Sequence, residues 1–117
     1  MKRIFILTAV AGLTATISPS LAQDLAAGKV LYEHNCLACH GNKGQGGIGK
    51  KLAGDAGYWS FDIFKRAVND GIDDHGKKMK PIMPAFGKTG FPSSGKPPTD
   101  DDLKNIQAYV QSFGPKQ

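Results

Sequence analysis

Cysteine is scarce in this chain, two in 117 residues. A four-ligand zinc site would have to recruit two of His34, His40 and His75, or carboxylates, and these stand at no recognised zinc spacing. Long apolar runs are missing beyond residue 22, so no later segment can cross a bilayer as a helix. Neither an alternating strand pattern nor an internal repeat is present, which leaves an all-α organisation with long loops. Basic residues outnumber acidic ones, for a formal charge of +5. They form no basic stripe interleaved with aromatics and no nucleic-acid motif, so nucleic acid is not an expected partner.

What is present begins with an address. Lys2 and Arg3 precede an apolar stretch from Ile4 to Ile17, followed by Ser18-Pro19-Ser20-Leu21-Ala22. That order reads as a secretory signal peptide, residues 1–22, cleaved after a small residue. An uncleaved anchor is the competing reading, but the apolar stretch falls short of the roughly 20 residues that span a bilayer. Residues 23–117 then form one exported, periplasmic domain, too short for two. So small a domain has a thin core of its own, and a large flat apolar cofactor would supply the missing buried surface. An oxidising compartment also turns an unprotected neighbouring cysteine pair into a disulfide unless something else captures it.

The two cysteines stand in Cys36-Leu37-Ala38-Cys39-His40, a string that signals covalent attachment of a c-type haem. On a helix, at about 100° per residue, Cys36 and Cys39 lie about 60° apart and His40 about 40° to the other side of Cys36. One face then carries two thiols for thioether links and an imidazole for the iron. A thioredoxin-like redox pair would need a preceding strand in a βαβ unit, whereas Val30 to Asn35 reads as helix and the following segment is glycine-rich.

The first helix is predicted from Asp24 to about His40, with Leu25, Gly28, Leu31 and Tyr32 at spacings of three and four. Gly41 to Gly54 reads as a loop able to lie close against something flat. Within it, Gly44 to Lys51 nearly matches a phosphate-binding loop. Lys51 replaces the required Ser or Thr, and no apolar strand precedes, so that reading fails. Ser60 is predicted to cap a helix from Phe61 to Asp70 that Gly71 stops, with Phe61, Phe64 and Val68 as its core stripe. Residues 76–98 read as an irregular loop. A last helix follows Thr99, whose pairing with Asp102 resembles a capping box, and its stripe is Leu103, Ile106, Val110 and Phe113.

His40 provides one axial ligand; the candidates for the other are Met79, Met83, His34, His75 or a lysine. His34 shares the helix of Cys39 and cannot easily reach the far side of a ring anchored there. Met83 stands in Pro81-Ile82-Met83-Pro84, a stiff setting that suits a ligand loop, and it is favoured, with Met79 and His75 left open.

From residue 24 to 113 the chain resembles the class I c-type cytochromes, small soluble bacterial relatives of mitochondrial cytochrome c. The resemblance lies in the Cys-x-x-Cys-His string, in Met83-Pro84-Ala85-Phe86, and in the last helix reading Asp101-Asp102-Leu103, Ile106, Tyr109-Val110. It implies a cytochrome c-like fold of three to five helices with long loops around one haem c, covalent through Cys36 and Cys39. It further implies that Gly28 and Tyr32 cross Ile106 and Tyr109, and that Trp59 lies near a haem propionate. One departure matters. Where the family carries Gly-Pro-x-Leu, with the proline carbonyl accepting from the ligand histidine, this chain has Gly49-Lys50-Lys51-Leu52. An axial histidine needs an oriented acceptor, and the Lys50 carbonyl is the expected substitute. Lys88 to Pro98 is longer than in minimal relatives and is expected either to alter the exposed haem edge or to form a partner surface.

The implied function is one-electron carriage in the periplasm, between a dehydrogenase or membrane complex and an oxidase or reductase. With both axial positions filled no substrate binds, so the chain is not expected to be an enzyme. Lys43, Lys50, Lys51, Lys77, Lys78, Lys80 and Lys88 flank the ligand segments and would steer a redox partner with an acidic docking surface to this monomer. The alternative is a haem c subunit of a periplasmic enzyme complex, a dehydrogenase or a sulfur-chemistry enzyme, with an exchangeable sixth ligand. A gas or redox sensor is a third possibility, opposed by the lack of a signalling domain.

Overall fold

Asp24 starts the first helix. Its carboxylate accepts the Ala27 N–H at 2.9 Å, satisfying one of the four N–H groups a helix start leaves unpaired. In the computed structural model, α1 runs Leu25–Asn35 and α2 Leu37–His40. The single helix expected through to His40 is thus two, because Cys36 leaves helical geometry at φ −122°. Its N–H still bonds the Tyr32 carbonyl at 2.8 Å, but the Cys39 N–H turns back to the Cys36 carbonyl at 3.3 Å. The structure describes residues 24–80 and 83–117 together with Gly12; apart from that glycine, the expected signal peptide lies outside the described residues.

A single 3₁₀ turn at Ala56–Tyr58 leads into α3, Phe61–Asp70, which has the predicted bounds. The Ser60 hydroxyl accepts the Ile63 N–H at 3.4 Å, and Gly71 ends the helix in the left-handed conformation. The region expected to be irregular holds a short helix, α4, at Phe86–Thr89. The cause is packing: Phe86 is buried and meets Phe91 edge-on, ring centroids 5.1 Å apart. The last helix, α5, spans Asp100–Gln111, and both capping-box bonds form between Thr99 and Asp102, at 3.0 and 3.1 Å. Phe113 falls just past its end. It still packs edge-on against Tyr32 and Tyr109, at 5.1 and 4.9 Å.

The architecture is helical throughout the described residues, with one isolated bridge between Ile72 and Lys78 and no strand. No described helix is long and apolar enough to cross a membrane. α1 and α5 cross at Gly28, where the backbones come together: a Cβ there would meet the Asn105 carbonyl carbon at 2.6 Å. Below the crossing, Tyr32 lies edge-on to Tyr109 at 5.5 Å. Tyr32, Leu103, Ile106 and Val110 are all 2% exposed or less. Each apolar side chain so buried contributes on the order of 1.5–3 kcal/mol. This two-helix clamp is the frame against which α3 and α4 pack, leaving a hollow between them and the Cys36–His40 turn.

Gly28→Ala is expected to cost about 1–3 kcal/mol, since the added methyl strikes backbone that cannot rotate aside. A thermal unfolding curve reads this as a lowered midpoint; an unchanged midpoint would mean the helices do not cross so closely.

Candidate haem-binding site

The hollow is a cavity of about 500 Å³, within the usual span for cofactor sites. Leu52, Phe64, Val68, Phe86, Ile106 and Val110 give it apolar walls from four separate parts of the chain. Cys36, Cys39 and His40 line it together. Neither cysteine is in a disulfide. Burial, with the Cys39 thiol beside it, pushes the Cys36 thiol up to about 12, so it stays protonated at neutral pH. Among the described residues no three His, Cys, Asp or Glu side chains converge as metal ligands.

His40 is buried, and its Nδ1 lies 2.7 Å from the Lys50 carbonyl. A carbonyl only accepts, so Nδ1 carries the proton and Nε2 keeps its lone pair for a metal. The turn that follows α2 is shaped around this bond. The Gly49 N–H donates to the Cys39 carbonyl at 2.8 Å, and Gly49 presses on the ring itself. A Cβ there would come within 2.8 Å of His40 Cε1 and 2.9 Å of Nδ1. The Tyr32 hydroxyl donates to the Gly41 carbonyl at 2.6 Å, fastening the same turn to α1.

Met79 and Met83 both line the cavity, from a segment remote from the cysteines. Met83 packs against the hydrophobic core and Met79 is not among the residues that do. His34 and His75 are exposed and do not line it. Trp59 is half-buried on the cavity wall, and its indole N–H donates to the Asp55 carboxylate at 3.0 Å. Asp55 and Asn35, which also line the site, went unnoticed in the sequence. The four-residue spacing of Asp55 and Trp59 was a usable signal; nothing marked Asn35. Lys50, Lys51, Lys77, Lys78 and Lys80 lie along the cavity and are exposed, whereas Lys43 and Lys88 are exposed away from its lining.

The donor set fits a haem: two free thiols, an imidazole with a fixed tautomer, methionine sulfur and apolar walls. A family model described as cytochrome C oxidase, cbb3-type, subunit III matches residues 23–110. The chain belongs to this cytochrome c family. Haem c is its cofactor, and the helical structure is the cytochrome c fold. This cytochrome is 37% identical over 79% of its length to the cbb3-type cytochrome c oxidase subunit CcoP of Azospirillum sp. (strain B510), covering 31% of that protein. It is 33% identical over 83% of its length to cytochrome c6 of Gracilaria tenuistipitata var. liui, covering 80% of that protein. The chain thus spans about a third of the oxidase subunits it matches and most of the cytochrome c6. The solved cytochrome CL of Methylophaga aminisulfidivorans MPT overlaps with a TM-score of 0.44 at 26% identity, covering 77% of this chain and 56% of that one.

In this cytochrome the turn carrying Lys77 and Lys78 is tied by Asp73, whose carboxylate accepts the N–H groups of Lys77 and His75 at 2.8 and 2.9 Å. Those bonds, the Lys77 one foremost, hold the Asp73 carboxyl below its ordinary 3.8. A lowered folded-state value means the stabilisation is complete above pH 3.8 and is lost as pH falls through the lowered value. Amide exchange at Lys77 should therefore stay protected at neutral pH and lose protection only in strong acid, and Asp73→Asn should weaken that protection already at pH 7.

Gly49→Ala should push the imidazole off the Lys50 carbonyl at a cost of about 1–3 kcal/mol. A less basic histidine favours the ferrous state, so the midpoint potential is expected to rise. A redox titration showing the parent potential would mean that Gly49 does not position the ring.

Proposed function

We propose that this cytochrome is an exported one-electron carrier, held in the periplasm after loss of residues 1–22. Cys36 and Cys39 would hold haem c through thioether links, and His40 Nε2 and Met83 sulfur are the groups that would bind its iron. When bound, the group supplies a ferrous–ferric couple that gains or gives up a single electron. The observation that carries the reading is the bond from His40 Nδ1 to the Lys50 carbonyl at 2.7 Å. It commits the histidine to one tautomer and one orientation inside a cavity that already contains both thiols.

The remaining residues serve constancy rather than bond-making. Packing of Met83 against the core favours it over Met79 as the second residue that would hold the iron. The apolar walls exclude water, which together with methionine sulfur raises the potential. Trp59, whose indole N–H is held by the Asp55 carboxylate, is the residue that would lie near a haem propionate, as the family resemblance implies. Exposed Lys50, Lys51, Lys77, Lys78 and Lys80 along the cavity offer an acidic redox partner a steering field that salt would screen. In this reading the protein acts as a monomer. The likeness to CcoP favours a second reading, in which the same electron-transfer unit works as part of a membrane oxidase assembly.

Optical spectra of the purified holoprotein test the ligation. The weak near-infrared band of sulfur bound to ferric iron is expected in the parent and in Met79→Ala and absent from Met83→Ala, which alone should bind carbon monoxide rapidly. Loss of the band only in Met79→Ala would reassign the ligand. Recovery of the protein as a soluble monomer from the periplasmic fraction supports the free carrier; recovery only with membranes supports the oxidase assembly.

A further inference from the structure

Between α4 and the Thr99 cap lies a segment the haem site itself does not use. Phe91 anchors it, 2% exposed and stacked edge-on against Phe86 of the cavity wall. Residues 92–97 are exposed, yet they are closed upon themselves. The Gly95 N–H donates to the Phe91 carbonyl at 2.7 Å and the Phe91 N–H to the Lys96 carbonyl at 2.8 Å. The Ser94 hydroxyl donates to the Lys96 carbonyl at 3.3 Å and accepts the Lys96 N–H at 3.2 Å. A loop bonded internally in this way behaves as one compact strap.

Among the described residues, the hydrogen bonds that tie residues 91–98 to the rest of the chain go to a single side chain, Asn35. Its Nδ2 donates to Ser93 Oγ at 2.9 Å, and its Oδ1 accepts the Ser93 N–H at 3.2 Å. The second Nδ2 hydrogen goes to the Leu31 carbonyl at 2.9 Å. Both amide donors and the acceptor are engaged, so the amide has one satisfied orientation. Asn35 directly precedes Cys36, lines the haem cavity and closes α1.

We propose that Asn35 is a positioning residue that latches the strap of residues 91–98 against the Cys36 edge of the haem cavity, limiting the access of water and small reactants to that edge. The proposal rests on the haem reading above. A drier edge disfavours the extra charge of the ferric state and so holds the potential up. The latch also stands at the end of α1, directly before the chain bends into the attachment turn at Cys36.

The test uses the haem-loaded protein and the variants Asn35→Ala, Ser93→Ala and Ser93→Thr. Two quantities are read: the midpoint potential, and the second-order rate at which hexacyanoferrate(III) takes one electron from the ferrous protein. Asn35→Ala should lower the potential and raise the rate several-fold with the His/Met spectrum intact. Ser93→Ala keeps only the bond from the Ser93 N–H and should fall between, while Ser93→Thr, which keeps the hydroxyl, should match the parent. Parent potential and parent rate in a pigmented Asn35→Ala or Ser93→Ala, even with a lowered melting point, would overturn the latch and leave a structural tie only. Should Asn35→Ala fail to mature, the two Ser93 variants, which leave α1 untouched, decide the matter. Absence of pigment in every protein, parent included, would instead sink the haem reading.

Discussion

The bond between His40 Nδ1 and the Lys50 carbonyl is the constraint from which the rest of the site follows. An imidazole with both nitrogens free could rotate or present the wrong tautomer to a metal; one with Nδ1 engaged presents Nε2 alone. To bring a carbonyl ten residues downstream onto the ring, the backbone must double back tightly, and bulk at Gly49 would collide with the ring. Gly49 is therefore a packing requirement of one histidine, while Gly44 and Gly54 make room for Phe113 and Gln117. That the acceptor is a lysine carbonyl costs nothing chemically, since the acceptor is backbone.

A small chain also has to solve a burial problem. Its core rests largely on the α1–α5 crossing, where Gly28 lets the helices touch and Tyr32 fills the space below. Many remaining apolar side chains face the cavity rather than one another. A haem held in the cavity would therefore share one core with the protein. For a haem electron-transfer domain such coupling would be useful, because a rigid frame changes little between oxidation states.

Much of this was legible from residue order. The cap at Ser60, the bounds of α3 and the Thr99–Asp102 box are local, decided by hydrogen bonds within four residues, and they hold as expected. The break at Cys36 and the helix at Phe86–Thr89 were not legible. Both accompany contacts beyond one helical turn: the attachment turn folds back onto Lys50, ten residues after His40, and Phe86 packs on Phe91, five residues on. Phe113 kept its place in the core although the helix expected to carry it ends sooner, because side-chain packing tolerated the loss of two helical residues.

Residue order by itself determined the chemistry available, namely two thiols, an imidazole and a methionine between prolines. Only the tertiary structure decided which groups meet. It brought Met79 and Met83 to the cavity and left His34 and His75 outside, paired Trp59 with Asp55, and joined Ser93 to the residue before Cys36. The physical reason is that spacing fixes only neighbours within a few residues, while proximity across the chain depends on how buried surfaces fit once the helices cross.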